Sequence, residues 1–161
     1  MRVMLLLGGN LGDVEQTIER AMELIEREVG QIVARSKFYV SEAWGFERET
    51  PPFTNQAVEV ESGLSPDELL TTTQCVEREL GRVREAELRD KAISGERYAS
   101  RPIDIDIIFY GDLVMESERL TLPHKELANR EFVLRPIVEI APEWRDARSG
   151  ECCRELLRRL C

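Results

Sequence analysis

The segment RPIDIDII, residues 101–108, sets two carboxylates into an apolar run. In an extended strand side chains alternate faces, so Asp104 and Asp106 point the same way, roughly 6.5–7 Å apart. That spacing can bracket a pair of hard cations, which two-metal sites hold about 3.5–4 Å apart. A strand with one face in water would show the same alternation over these few residues. The continuation IIFY argues for burial. By strict alternation Ile108 and Tyr110 share the aspartate face, while Ile107 and Phe109 lie on the other. The strand reads as a central one, apolar on both faces, with the carboxylates at its entrance. As like-charged neighbours the two should raise each other's pKa. Asn at either position should then leave the metal-free protein as stable, or slightly more so.

The surrounding charge is uneven. The chain of 161 residues has a net charge of −9, which argues against nucleic acid as the main ligand. Residues 78–101 run the other way, with 7 Lys+Arg against 5 Asp+Glu, and lead directly into the aspartate strand. These arginines could simply compensate the carboxylates, and they are also what a magnesium polyphosphate needs.

Other polar positions are less specific when read alone. Gln74 and Glu77 are one helical turn apart and share a face, as exposed residues of an amphipathic helix also would. His124, in LPHKE, is the only histidine, and a lone histidine is more often a surface or capping residue than a ligand. Trp44, Phe53 and Phe132 are core residues by default. Asn55 interrupts the strand pattern PFTNQAVEV, and a buried amide must find partners in backbone or in a flat heterocycle. LGGNLGD lacks the Lys-Ser/Thr of a phosphate loop and the spacing of a dinucleotide fingerprint, so it reads as a structural turn.

The elements that must position these residues follow from periodicity. An apolar strand, Val3–Leu7, precedes the glycine turn. Asp13 then caps a helix striped by Val14, Ile18, Met22, Ile25 and Val29, with Gly30 as its stop. A β-rich stretch, 32–40, and a strand, 53–60, flank an irregular loop. SPDE at 65–68 starts a second helix, which Gly81 ends, and the strand 103–110 follows. This is the β-α-β-β-α-β, ferredoxin-like α+β plan, with an antiparallel sheet and both helices on one face. Helical segments near 126–134 and 151–160 would cover the other face and give an α/β/α arrangement. The length and composition suit one domain, 1–161. The first apolar run is too short for a membrane span, and the four cysteines form no CxxC pair. A reduced cytoplasmic protein, with no membrane partner and monomeric, is the simplest expectation.

Taken together, LGGNLGD, FTNQAVEV, ELGRVR, RPIDIDII and LPHKELANREFVLRPIVEIAP resemble the 6-hydroxymethyl-7,8-dihydropterin pyrophosphokinase family of folate biosynthesis. The resemblance runs from Val3 to about Pro142. It implies transfer of pyrophosphate from ATP to the hydroxymethyl group of 6-hydroxymethyl-7,8-dihydropterin, with release of AMP. It also implies two Mg2+ ions held by Asp104 and Asp106. Arg82 and Arg101 match catalytic arginines of a loop that closes over the reactants. Gln74, Glu77, Arg84, Arg97, Arg119, His124 and Arg130 match positions on the ATP side. Ser41, Glu42, Trp44, Gly45, Phe53, Asn55, Tyr98 and Phe132 match positions around the pterin. There are departures from the family pattern. Phe53 stands where tyrosine is frequent, Tyr98 where many members have tryptophan, and Glu85 where a basic residue is common. The loop 83–100 is also longer than in compact members. Without the resemblance, the residues also fit a metal-dependent nucleotidyltransferase or a ferredoxin-like ligand-binding module.

Overall fold

The computed structural model describes residues 1–41, 51–82 and 101–161. Strand β1 (Arg2–Gly9) is the axis of the fold. Val3, Leu5 and Leu7 enter one hydrophobic cluster and Met4 and Leu6 another, because successive side chains of one strand face opposite ways. It pairs antiparallel with β4 (Phe53–Ser62) on one side and β5 (Asp104–Tyr110) on the other. β2 (Gly30–Arg35) and β3 (Tyr39–Ser41) both pair with β4, so together they take the place of the single β-rich stretch expected at 32–40. The strand order β2-β4-β1-β5 is that of the ferredoxin-like fold.

Helix α1 (Val14–Glu28) starts where Asp13 accepts the Gln16 N–H at 3.2 Å. Helix α2 (Pro66–Glu79) starts where Ser65 accepts the Glu68 N–H at 3.2 Å. Both caps satisfy donors that a helix start leaves without intrahelical partners. The two helices bury Ile18, Met22, Ile25, Leu69 and Val76 against one sheet face. Beyond β5 come a small hairpin, β6 (Met115–Glu116) and β7 (Thr121–Leu122), then α3 (Glu131–Ile140) and α4 (Cys153–Leu160). These last two helices pack Val133, Leu134, Ile137 and Leu156 on the other face. The three-layer α+β arrangement expected from the sequence is the one observed.

Four local expectations change. Helix α3 starts later than the expected 126–134, since residues 125–129 form turns, and its apolar stripe continues through Pro136 to Ile137. Among the described residues β5 is an edge strand of the sheet, not a central one. Apolar residues on both faces report helices above and below, and say nothing about hydrogen bonding at the edge. Strict alternation also fails after Asp106. Met4 pairs with Phe109 and Leu5 with Ile107, so Ile108 is the extra residue of a β-bulge. Phe109 therefore joins Ile108 and stacks on Trp144, with ring centroids 5.1 Å apart. Tyr110 turns to the α1/α2 face, where its hydroxyl donates to Leu64 O at 2.6 Å.

Gly30 does not stop α1 by left-handed backbone. The left-handed glycines among the described residues are Gly12, Gly81, Gly111 and Gly150. Gly30 instead opens β2, where a Cβ would lie 1.9 Å from the Glu61 carbonyl oxygen. That atom is backbone of the partner strand and cannot swing aside. Gly30→Ala and Gly30→Asn should therefore destabilise similarly, by about 1–3 kcal/mol as for other overpacked sites. Denaturant titration checks this. A well-tolerated Asn beside a damaging Ala would instead point to a left-handed cap.

Candidate active site

The edge of β5 is where the site assembles. A bare edge exposes N–H and C=O groups, and here two of them are taken by residues from elsewhere. The Glu77 carboxylate of α2 accepts the Ile105 N–H at 2.8 Å. The His124 N–H, just beyond β7, donates to Ile108 O at 2.9 Å. Residues 77 and 124 are thus fixed beside the aspartates by main-chain hydrogen bonds of the edge strand.

Glu77 is 2 % exposed and Arg82 6 %. Arg82 Nη1 donates to Glu77 Oε2 at 2.9 Å and to Asp104 Oδ1 at 3.0 Å. The guanidinium charge is thus shared between α2 and β5. Arg101 approaches Asp104 from the other side, with Nη2 3.6 Å from Oδ2, and its guanidinium lies 5.4 Å from the centre of the Phe53 ring. The main chain of Arg101 is held by Asn10: its N–H donates to Asn10 Oδ1 at 2.9 Å, and its carbonyl accepts the Asn10 N–H at 3.0 Å. Asn10 also donates to Pro51 O at 3.2 Å. Neither residue type nor spacing marks Asn10 in the sequence. The glycine turn that carries it was the available signal.

The two aspartates are unequal. Both Asp104 oxygens face arginines. Asp106 has His124 Nε2 at 4.0 Å. Burial raises the Asp106 carboxyl well above the usual carboxylate range, the charge of Asp104 raises it further, and Arg101 works against both. Its side chain is 38 % exposed, so water in the cleft offsets part of the burial effect. Burial lowers the His124 imidazole below its ordinary value, with Asp104 acting in the opposite sense, so it is neutral at pH 7.

Asn55 pairs with Gly8 of β1, and Gly8 pairs with Asp104 of β5. The three form one row across the sheet, with neighbouring strands about 4.7–4.9 Å apart, which puts the amide and the carboxylate within roughly 10 Å. Asn55 is 5 % exposed, and its Nδ2 has no hydrogen-bond partner among the described residues. A buried amide donor left unmatched is costly, and an acceptor on a bound molecule would relieve it. Ser41 and Phe53 pair at the adjoining ends of β3 and β4.

Residues 4–142 match the family model described as 7,8-dihydro-6-hydroxymethylpterin-pyrophosphokinase (HPPK). The chain belongs to this family. It is 40 % identical over 141 residues to the 2-amino-4-hydroxy-6-hydroxymethyldihydropteridine pyrophosphokinase of Porphyromonas gingivalis, covering 87 % of this chain and 90 % of that one. It is 39 % identical to the enzyme of the same name from Synechocystis, over 94 % of this chain and 72 % of the relative. A crystal structure of Plasmodium falciparum HPPK-DHPS triple mutant with STZ-DHP superposes with a TM-score of 0.78. At 15 % identity that likeness speaks for the fold alone, and this chain spans 43 % of the Plasmodium chain.

The remaining positions of the HPPK resemblance are placed as follows. Gln74 is half-buried on α2. Arg119 is exposed on the β6–β7 hairpin and donates to Thr71 of α2 at 3.2 Å. Arg130 pairs with Glu126 at 3.1 Å. Phe132 packs at the edge of the α3/α4 cluster. Glu42, Trp44, Gly45, Arg84, Arg97 and Tyr98, and the long loop 83–100 with Glu85, lie outside the described residues. Beyond the segment that matches the HPPK model, Arg148 makes a two-pronged pair with the buried Asp146 and also reaches His124 O at 3.4 Å. The C-terminal turn thereby backs the histidine, a contact that sequence spacing did not suggest.

Among the described residues no three or more His, Cys, Asp and Glu side chains gather round one point. The donors offered to a cation are the two carboxylates. Magnesium is bound in this way, by one or two carboxylates with phosphate and water completing its shell.

Because Asp104 partners a buried guanidinium, Asp104→Asn should cost on the order of 1–2 kcal/mol in metal-free protein. Asp106→Asn should not. Its raised carboxyl destabilises the fold as pH rises through that value, so the amide should melt at or above wild type at pH 7. The difference should vanish towards the unfolded carboxylate value of about pH 4. Melts in chelator across this range test both, and equal losses for the two variants would contradict the asymmetry.

Proposed function

We propose that this chain transfers the β,γ-diphosphate of ATP to 6-hydroxymethyl-7,8-dihydropterin, releasing AMP. The observation that carries the reading is the row Asn55–Gly8–Asp104, which sets an unmatched amide donor and a carboxylate–arginine cluster on one face of one sheet. A flat heterocycle meets Asn55 between Phe53 and Phe132. The family resemblance also assigns Ser41, Glu42, Trp44, Gly45 and Tyr98 to the pterin. The hydroxymethyl oxygen then reaches towards Asp104. ATP lies along α2 and the segment 119–130, with Gln74, Glu77, Arg119, His124 and Arg130 on its side, and the family resemblance assigns Arg84 and Arg97 to ATP as well.

Bond-making joins the hydroxymethyl oxygen to the β-phosphorus. The bond from that phosphorus to the α,β-bridging oxygen breaks, its electron pair leaves with AMP, and the hydroxyl proton passes to solvent. Bound at Asp104 and Asp106, two Mg2+ ions would neutralise phosphate charge and align the triphosphate. Arg82 and Arg101 supply guanidinium charge beside the transferred group. Arg82 is held by Glu77 before any ligand arrives. Arg101, with Nη2 3.6 Å from Asp104 Oδ2, brings a second guanidinium to the same carboxylate.

The neutral His124 donates a hydrogen bond to a phosphate oxygen without adding charge. Residues 1–161 form one catalytic domain, since both hydrophobic clusters share one sheet. The four cysteines are free thiols, as a reducing cytoplasm requires, and no helix of the described residues is long and apolar enough to cross a membrane. A monomer, with no nucleic acid and no membrane, completes the reading.

Incubation with ATP, magnesium and 6-hydroxymethyl-7,8-dihydropterin should give AMP and the pterin diphosphate. Asp104→Asn and Asp106→Asn should each lower turnover by about 100-fold or more. Release of pyrophosphate in place of AMP would identify a nucleotidyltransferase, and no magnesium-dependent turnover would favour a binding module.

A further inference from the structure

Gly8 has no backbone reason to be glycine. It lies inside β1 and is not among the left-handed glycines. A glycine weakens a strand interior, and it commonly marks a place where something approaches closely. What approaches is the Asn55 side chain. A Cβ on Gly8 would lie 2.2 Å from Asn55 Oδ1 and 3.2 Å from its Cγ, with the Thr54 carbonyl oxygen at 3.1 Å. The Asn55 carboxamide therefore occupies the space where a side chain on the central strand would stand. Its neighbour along the strand is spoken for differently: a Cβ on Gly9 would meet Pro102 O at 2.4 Å, a main-chain clash.

We propose that Gly8 is a positioning residue for the pterin: its missing side chain seats the Asn55 carboxamide between β4 and the Asp104 end of the row. The inference rests on the reading that Asn55 binds the pterin. Gly8 touches no reacting atom and acts through Asn55. A methyl group there drives the buried carboxamide out of its seat, and the amide then presents its donor at the wrong place. The ATP side, held by α2 and the segment after β7, is untouched.

A double-mutant cycle tests this, because two residues that act through one contact give non-additive effects. Steady-state kinetics are run with 6-hydroxymethyl-7,8-dihydropterin and ATP varied in turn. Gly8→Ala should raise the KM for the pterin about tenfold, the effect of losing one buried hydrogen bond, with the KM for ATP unchanged. Asn55→Ala should raise it at least as much. In the Asn55→Ala background, Gly8→Ala should change it by less than about twofold. Should Gly8→Ala alone fail to fold, Gly8→Ala/Asn55→Ala is still expected to fold and to show the kinetics of Asn55→Ala. Equal effects of Gly8→Ala in both backgrounds, a change confined to ATP, or unfolding in both backgrounds would overturn the role of Gly8. An unchanged pterin KM in Asn55→Ala would overturn the reading of Asn55 as well.

Discussion

The outer edge of β5, where the sheet of the described residues ends, is the constraint on which the site depends. The outward N–H and C=O groups of an edge strand are met either by water or by another part of the chain. Here the Glu77 carboxylate covers Ile105 N–H and the His124 main chain covers Ile108 O. Both covering residues come from segments that carry the polar side chains of the cleft. Completing the sheet and assembling the site are therefore one act of folding. The carboxylate that caps the edge also holds Arg82, and Arg82 in turn holds Asp104.

That arrangement takes ionised groups out of water, which is costly unless each is paired and hydrogen-bonded. Glu77 meets the condition with a guanidinium and a main-chain N–H on one oxygen. Asp104 meets it with two guanidiniums. Asp106 meets it least well: burial and the charge of Asp104 raise its carboxyl, and Arg101 and Arg82 counter them.

The two faces of the sheet divide the labour. The α1/α2 face is a conventional apolar core. The other face is apolar only where α3 and α4 cover it, and beyond them it opens at the row of Asn55, Gly8 and Asp104. The bulge at Ile108 sharpens this division. It turns Tyr110 under α2 and Phe109 towards Trp144, so that the aspartate face is apolar immediately behind the carboxylates.

The element order was legible in the sequence because it is written in local signals. Asp13 and Ser65 as caps, the 3.6-residue stripe of α1 and the apolar β1 specify their structures through neighbours a few residues away. The Asp104–Asp106 pair was legible for the same reason, since a period of two fixes a shared face. Its family motifs added the partners that spacing alone left open. The rest required distant chain segments to meet. Strand composition could not distinguish an edge covered by Glu77 and His124 from a central strand, because burial of faces and satisfaction of edges are separate conditions. Alternation could not foresee the bulge, which arises from the pairing of β5 with β1. Gly30 read as a helix stop because a glycine after a helix is commonly one, yet the atom that demands it belongs to residue 61. The inequality of the two aspartates was likewise invisible, since one carboxylate was set apart by an arginine 22 residues upstream and a glutamate on another helix. Side-chain type and period were determined locally, and charge balance, edges and close approaches were decided only when the packed chain set its distances.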